Sequence, residues 1–227
     1  VVQFALRVAE ESGGAFDPTL GGAMQAVGFN REHRTGRIVQ ATIAPEDGVT
    51  FRDVHLDQGR RTISLSRPLI LDLGALAKGL AVDAAARELQ PFADFVIDAG
   101  GDLYFGGHDP EGDTWSAGIS HPRIEGRLID ALRVSDQAVC TSGDYERRVE
   151  GGGPGHHIRD PRTGASPGAL ASATVVAPTA LLADALATAA LVLGPVDGLQ
   201  LLDRLGVEGL LLSPELERYE TEGLRRG

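Results

Sequence analysis

Residues 75–107 read ALAKGLAVDAAARELQPFADFVIDAGGDLYFGG, and this stretch sets the fold class. Its first half places Leu76, Leu80, Val82, Ala85, Ala86 and Leu89 along one side of a turn-by-turn repeat, the spacing of a helix packed on one face. Its second half is two short apolar runs split by Gly100 and Gly101, the pattern of a strand, a tight turn and a returning strand. A helix that runs straight into a hairpin points to antiparallel pairing. The same pattern extends outward. VTFRDVHLD and TISLS flank a QGRR turn, so residues 49–72 read as strands, and PLILDLG is a short apolar run that ends in Gly. WSAGISHP, LIDALRVS, QAVCTSG, SATVVAP and VEGLLLSP are further strand candidates. Helical spacing recurs over residues 2–12, in a short Gly-broken segment over 21–29, and in ALLADALATAALVLG and PVDGLQLLDRLG, with Thr179 placed to cap the third of these. Residues 30–40 read as a loop, GGGPG at 151–155 as a hairpin tip and the tail from Leu216 as polar. Strands outnumber helices and hairpins outnumber crossovers, which predicts a single α+β domain of mostly antiparallel sheets with helices packed on them.

Composition limits the partners. The chain has 227 residues, 42% of them apolar, enough for a sizeable core. Twenty-one basic residues against 32 acidic ones give a net charge of −11. With no basic cluster, such a chain is poorly suited to hold a nucleic-acid backbone by charge. The lone Cys140 excludes an internal disulfide framework and a Cys-based zinc site. The most apolar stretch, Val175–Leu193, is interrupted by Pro178 and Asp184; a mid-span charge costs about 3 kcal/mol on insertion scales, so a core element rather than a membrane span is expected. The chain opens as if inside a helix, from which residues upstream of Val1 are expected.

Four segments carry chemistry. In LDLGALAKG, residues 71–79, two glycines bracket a helix start, where the N–H groups and helix dipole attract anions. Lys78 lies there and is the only lysine, against twenty arginines. In ALLADALATAALVL, Asp184 interrupts an apolar helix, and Thr188 is four residues on, on the same face. A carboxylate and a hydroxyl converging in this way suit a hard cation such as Mg²⁺; a solvent-facing Asp is the alternative. In HHIRDPRTG, His156 and His157 on a strand would point to opposite faces, which leaves one of them as a possible base. DAGGD, residues 98–102, fits either a bare hairpin turn or a close backbone approach to a ligand. Cys140, in an apolar run, reads as a small core residue.

Taken in order, GGAFDPTLGGAMQAVGF, LDLGALAKGLAVDAAARELQ, VIDAGGDLYFGG, AVCTSGDYERR, HHIRDPRTG and SATVVAPTALLADALATAALVLG resemble the ApbE family of Mg²⁺-dependent FAD:protein FMN transferases. The resemblance implies an α+β unit of the tunnelling-fold type spanning residues 1–227, without an N-terminal segment that family members usually carry. It implies transfer of FMN from FAD to a Thr or Ser hydroxyl of an acceptor protein, with release of AMP; some members hydrolyse FAD instead, and a non-catalytic FAD binder is a third reading. By position, Ala15, Phe16, Asp17, Asp72, Lys78 and Ile158 would contact FAD. The backbone carbonyl of Ala75 and the side chains of Asp184 and Thr188 would hold Mg²⁺, and His157 would serve as the base, with Lys78 and Asp184 completing the catalytic set. Val27 stands where many members have Trp, and Asp98 where many have Asn. The implied acceptor carries a Thr-containing motif, such as that of a subunit of a membrane electron-transfer complex. The implied setting is extracytoplasmic, periplasmic or lipid-anchored, with a cytoplasmic one left open.

Overall fold

A computed structural model describes residues 1–30, 35–39, 41, 44, 46–145 and 156–226. The expected GGGPG tip and the end of DYERRVE lie outside the described residues, as does part of the expected 30–40 loop. The chain divides into two compact units, Val1–Leu73 with Arg147–Ser166, and Gly74–Glu146 with Pro167–Gly227.

In the first unit, α1 (Val2–Glu11) buries Ala5, Val8 and Ala9. Gly13 and Gly14, at φ +61 and +85, end it in a left-handed conformation that other residues resist. α2 (Gly21–Ala26) is only six residues long. A Cβ on Gly21 would lie 2.6 Å from the carbonyl oxygen of Ile70, and the neighbouring Leu20 makes a parallel bridge to Ile70. The strand expected over 49–72 is shorter than predicted. Thr50 and Asp53 form a reciprocal capping box around a 3₁₀ turn at Phe51–Asp53, which holds this stretch out of the sheet. Only β1 (Val54–Asp57) and β2 (Thr62–Leu65) pair, as an antiparallel hairpin. PLILDLG contributes the single bridge at Ile70.

The second unit is layered. α3 (Gly74–Leu89) leads into the β3 (Phe95–Asp98) and β4 (Asp102–Gly106) hairpin. β5 (Trp115–Ser120) and β6 (Leu128–Val134) pair with each other. β7 (Gln137–Gly143), β8 (Ser172–Ala177), β9 (Glu208–Leu212) and β10 (Arg218–Glu220) complete an antiparallel six-stranded sheet in the order β10-β9-β8-β7-β4-β3. Phe105, Val139, Val176, Leu210 and Leu212 on one face form a core with Ala117, Ile119, Leu132 and Val134 of the β5–β6 hairpin. The other face carries α3 and α4 (Ala180–Leu205). The mixed helix and antiparallel-sheet class predicted from the sequence is therefore the one observed.

β8 and β9 are antiparallel neighbours, so their connection must return to the end of the sheet it left. A straight 26-residue helix would instead carry the chain about 39 Å away. Gly194, at φ 81 and ψ −175, breaks α4, and Pro195 opens its second half. The halves fold back closely, since a Cβ on Gly198 would come within 3.0 Å of the carbonyl oxygen of Ala190. The two helices expected from the sequence are thus the two arms of α4. Among the described residues, α4 alone is long and apolar enough to cross a membrane, yet it is broken and mostly buried within its own unit.

Two readings change. Leu80, expected on the buried side of α3, is 39% exposed, and the buried positions are Leu76, Gly79, Val82 and Ala86. The buried face centres on Gly79, whose missing side chain admits the backbone of α4. β10 was not apparent in the polar tail. It is an edge strand, where Arg218 pairs with Asp130 and Glu220 and keeps the edge charged.

Candidate functional site

In the first unit, the FDPT segment is held by its own acid. Asp17 Oδ1 accepts the Thr19 N–H at 2.9 Å and the Thr19 hydroxyl at 2.6 Å. Its Oδ2 accepts the Phe51 N–H at 3.0 Å. Ala15, Phe16 and Asp17 are all buried, and the Ser12 hydroxyl accepts the Phe16 N–H at 3.1 Å. The Asp72 N–H donates to the Pro18 carbonyl at 2.7 Å. Ala15–Asp17 and Asp72 thus meet in one loop assembly, in which the Asp17 carboxylate supports the backbone.

The two histidines do not alternate along a strand as predicted. His156 makes only an isolated bridge and His157 lies in a bend. They differ instead by burial. His156 is 4% exposed; its N–H donates to Ser166 Oγ at 3.0 Å, and that hydroxyl donates back to the His156 carbonyl at 2.9 Å. His157 is half-buried, with Phe29 edge-on at a centroid distance of 6.4 Å. Ile158 beside it is buried.

In the second unit, the remaining residues gather between the helices and the sheet. Gly79 is the point of closest approach: a Cβ there would lie 2.5 Å from the carbonyl oxygen of Ala180. That proximity lets the Gly79 N–H donate to Asp184 Oδ2 at 3.3 Å. Gly79 of LDLGALAKG therefore serves packing, and the packing itself seats the carboxylate. Asp184 is 6% exposed among buried alanines and leucines. Thr188, one turn on, has its hydroxyl 3.1 Å from Ser142 Oγ of β7. Ala75 lies in the first turn of α3, half-buried. The start of α4 is fixed by Asp83, whose two carboxylate oxygens accept the Ala180 and Leu181 N–H groups at 2.7 and 3.0 Å.

Lys78 reaches the sheet. Its Nζ lies 2.7 Å from Asp102 Oδ2, and the Asp102 side chain is 1% exposed against 39% for Lys78. Asp102 opens β4 directly after Gly100 and Gly101, at φ +69 and +93. In this turn the Gly101 N–H donates to Asp98 Oδ1 and the Ala99 N–H to the Asp102 carbonyl, both at 3.0 Å. Asp102 and Cys140 are cross-strand partners on β4 and β7. Burial pushes the Cys140 thiol well above its ordinary range; the charges of Asp102 and Asp184 push the same way and Lys78 opposes them. Cys140 is therefore a neutral, buried thiol that donates to the Ala180 carbonyl at 3.6 Å, rather than a nucleophile.

Asp102 and Ser142 are the members that sequence reasoning missed. Their signal was strand alternation: Asp102, Cys140 and Ser142 occupy the sheet face that carries α3 and α4. The groups that the structure brings together here are oxygen groups: the Asp184 carboxylate and the Thr188 and Ser142 hydroxyls, with the Asp102 carboxylate on the same sheet face. Among the described residues, no group of three His, Cys, Asp or Glu side chains forms a cage. Such a set does not suit zinc; it fits a hard cation that takes its other ligands from water and phosphate.

Comparison with known proteins supplies the context. Residues 1–211 match the model of the ApbE family. A Treponema pallidum protein named FAD:protein FMN transferase is 36% identical, the alignment covering 99% of this chain and 67% of the relative. A Klebsiella pneumoniae protein of the same name is 30% identical, covering 97% of this chain and 66% of the relative. The chain thus spans about two thirds of the length of these curated relatives. The crystal structure of the ApbE protein of Thermotoga maritima superposes with a TM-score of 0.85 at 29% identity, covering 99% of this chain and 75% of that one. The flavin transferase ApbE from Vibrio cholerae gives 0.81 at 26% identity, covering 99% and 74%. With the family match running through both units and the helix–sheet architecture shared with these structures, the chain belongs to the ApbE family.

Proposed function

We propose that the protein transfers FMN from FAD to a Thr or Ser hydroxyl of an acceptor protein, releasing AMP, in a Mg²⁺-dependent reaction. The observation that carries this reading is the grouping of Asp184, Thr188 and Lys78 on the facing helices α3 and α4 of a chain whose relatives bear the transferase name. Asp184, Thr188 and the Ala75 carbonyl would hold the ion, with water and phosphate oxygens filling the rest of its shell. When bound, Mg²⁺ supplies positive charge where phosphate oxygens gain negative charge.

The chain's own residues do the remaining work. Ala15, Phe16, Asp17, Asp72 and Ile158 would form the flavin-nucleotide contacts, and Lys78 would supply a fixed positive charge toward the diphosphate. The acceptor oxygen attacks the FMN-side phosphorus, a new P–O bond forms, and the bond to the bridging oxygen breaks, so that AMP departs with that oxygen. His157 would take the hydroxyl proton; the half-buried imidazole suits this better than the enclosed His156. A positioned base contributes about 10²–10⁴-fold. The acidic surface does not oppose such a ligand, because local charges rather than net charge set the potential at a site. The acceptor class is a protein with a Thr-containing motif, such as a subunit of a membrane electron-transfer complex.

The test is incubation with FAD, Mg²⁺ and a candidate acceptor. Mass spectrometry of the acceptor should show an added FMN, and chromatography of the nucleotides an equal amount of AMP. Free FMN with AMP and an unmodified acceptor would mean a pyrophosphatase. FAD recovered intact would mean a binder without turnover.

A further inference from the structure

Lys78 is the only lysine of the chain, and its ammonium is committed to a carboxylate that is 1% exposed. Such a carboxylate is rarely buried without a purpose, because a charge taken out of water must be compensated locally. The local construction is specific. Gly100 and Gly101 take left-handed φ values, and a Cβ on either would meet nothing within 4 Å, so the turn is not shaped by packing. What the turn achieves is to start β4 with Asp102 on the face carrying α3. Lys78 thus stands where it can neutralise one acid while more than a third of its side chain stays open to solvent. The ion pair with the buried Asp102 carboxylate sets the direction of the ammonium.

We propose that Asp102 is a positioning residue, which fixes the Lys78 ammonium for the diphosphate of the flavin nucleotide; this rests on the reading above that Lys78 contacts FAD. Asp102 does not touch the reacting atoms. Its role is to keep a flexible side chain in its working direction before the ligand arrives, which lowers the ordering cost of binding.

The test is a double-mutant cycle of Asp102→Asn, Lys78→Ala and the pair, with thermal melts as the check on folding. FAD affinity is read by flavin fluorescence at saturating Mg²⁺, and FMN transfer by single turnover. Asp102→Asn should weaken FAD binding by about tenfold, the scale of one charge-assisted hydrogen bond. The pair should bind FAD no worse than Lys78→Ala alone, because both changes remove one unit, and Asp102→Glu should recover part of the affinity. Unchanged FAD affinity in Asp102→Asn with a lowered melting temperature would overturn the proposal and leave the ion pair as a tie between α3 and β4. So would additive losses in the cycle. A Lys78→Ala variant that binds and transfers like wild type would instead overturn the reading of Lys78 on which it rests. A crystal structure of the wild-type chain with FAD and Mg²⁺ decides the matter independently of how the variants fold. Lys78 Nζ within hydrogen-bond reach of both Asp102 and the diphosphate supports it; an ammonium that has left Asp102 refutes it.

Discussion

Gly79→Ala tests whether the helix–helix approach seats Asp184. On an exposed helical position Ala is better than Gly by about 1 kcal/mol. At Gly79 the new Cβ would lie 2.5 Å from the Ala180 oxygen, 2.7 Å from its carbonyl carbon and 2.8 Å from the Leu181 Cα. These are backbone atoms, so no side chain can swing aside. To reach ordinary contact at 3.4 Å, α3 and α4 must separate by about 0.9 Å. Overpacking of this kind costs about 1–3 kcal/mol, and the rigid backbone neighbours place it at the upper end. The separation also lengthens the 3.3 Å hydrogen bond from the Gly79 N–H to Asp184, removing about another 1 kcal/mol. After the propensity gain, the net loss is about 2–3 kcal/mol, or a fall in Tm of roughly 4–12 °C for a chain of this length. Differential scanning calorimetry measures the loss, and titration calorimetry with Mg²⁺ and FAD reads the displaced carboxylate. Ala77→Gly, at an exposed position of α3, is the reference and should lose about 1 kcal/mol. A Gly79→Ala protein that melts at or above wild type would refute the argument.

Asp184→Ala should remove Mg²⁺ binding and flavin transfer while the fold persists, since a hard cation loses its only carboxylate in the proposed set; unchanged Mg²⁺ affinity by titration calorimetry would discard the ligand assignment. His157→Ala should slow FMN incorporation by about 10²–10⁴-fold with little change in FAD affinity. His156→Ala should lower Tm more than it lowers rate, because that ring is 4% exposed; equal rate losses in both would move the base elsewhere. Arg67, the Thr50 N–H and the Ser66 hydroxyl hold the Asp53 carboxyl well below the usual carboxylate range. A carboxyl with a lower pKa in the folded chain stabilises it above the unfolded value, and that contribution fades as pH falls toward the folded one. The Tm difference between wild type and Asp53→Asn should therefore be constant above about pH 5 and shrink below about pH 4; a gap that widens in acid would contradict this.

The sequence made legible what local chemistry determines. Helix and strand periods marked most elements of both units, β10 excepted, and Asp184 was conspicuous because an apolar run has few reasons to contain an acid. Thr179 caps α4 as predicted, its side chain accepting from the Leu182 N–H. What escaped notice depends on contacts between distant positions. Leu80 looked like a core residue until Gly79 proved to be where α4 comes closest. Asp102 looked like half of a turn, because its partner Lys78 lies 24 positions earlier on another element. The strand expected before Val54 failed because the Thr50–Asp53 capping box makes its own local bonds. His156 and His157 were separated by depth of burial rather than by strand alternation, a difference no spacing rule encodes.

The ion pair between α3 and β4 has a practical corollary for chemical labelling. A chain with twenty arginines and a single lysine offers amine-directed reagents one side chain and one terminus. Reductive methylation with ¹³C-formaldehyde would place a lone side-chain reporter on Lys78, and guanidination would turn the same nitrogen into an arginine analogue without any change to the gene. The arrival of a nucleotide, or of a protein that presents a hydroxyl to it, is then followed at a single labelled side chain.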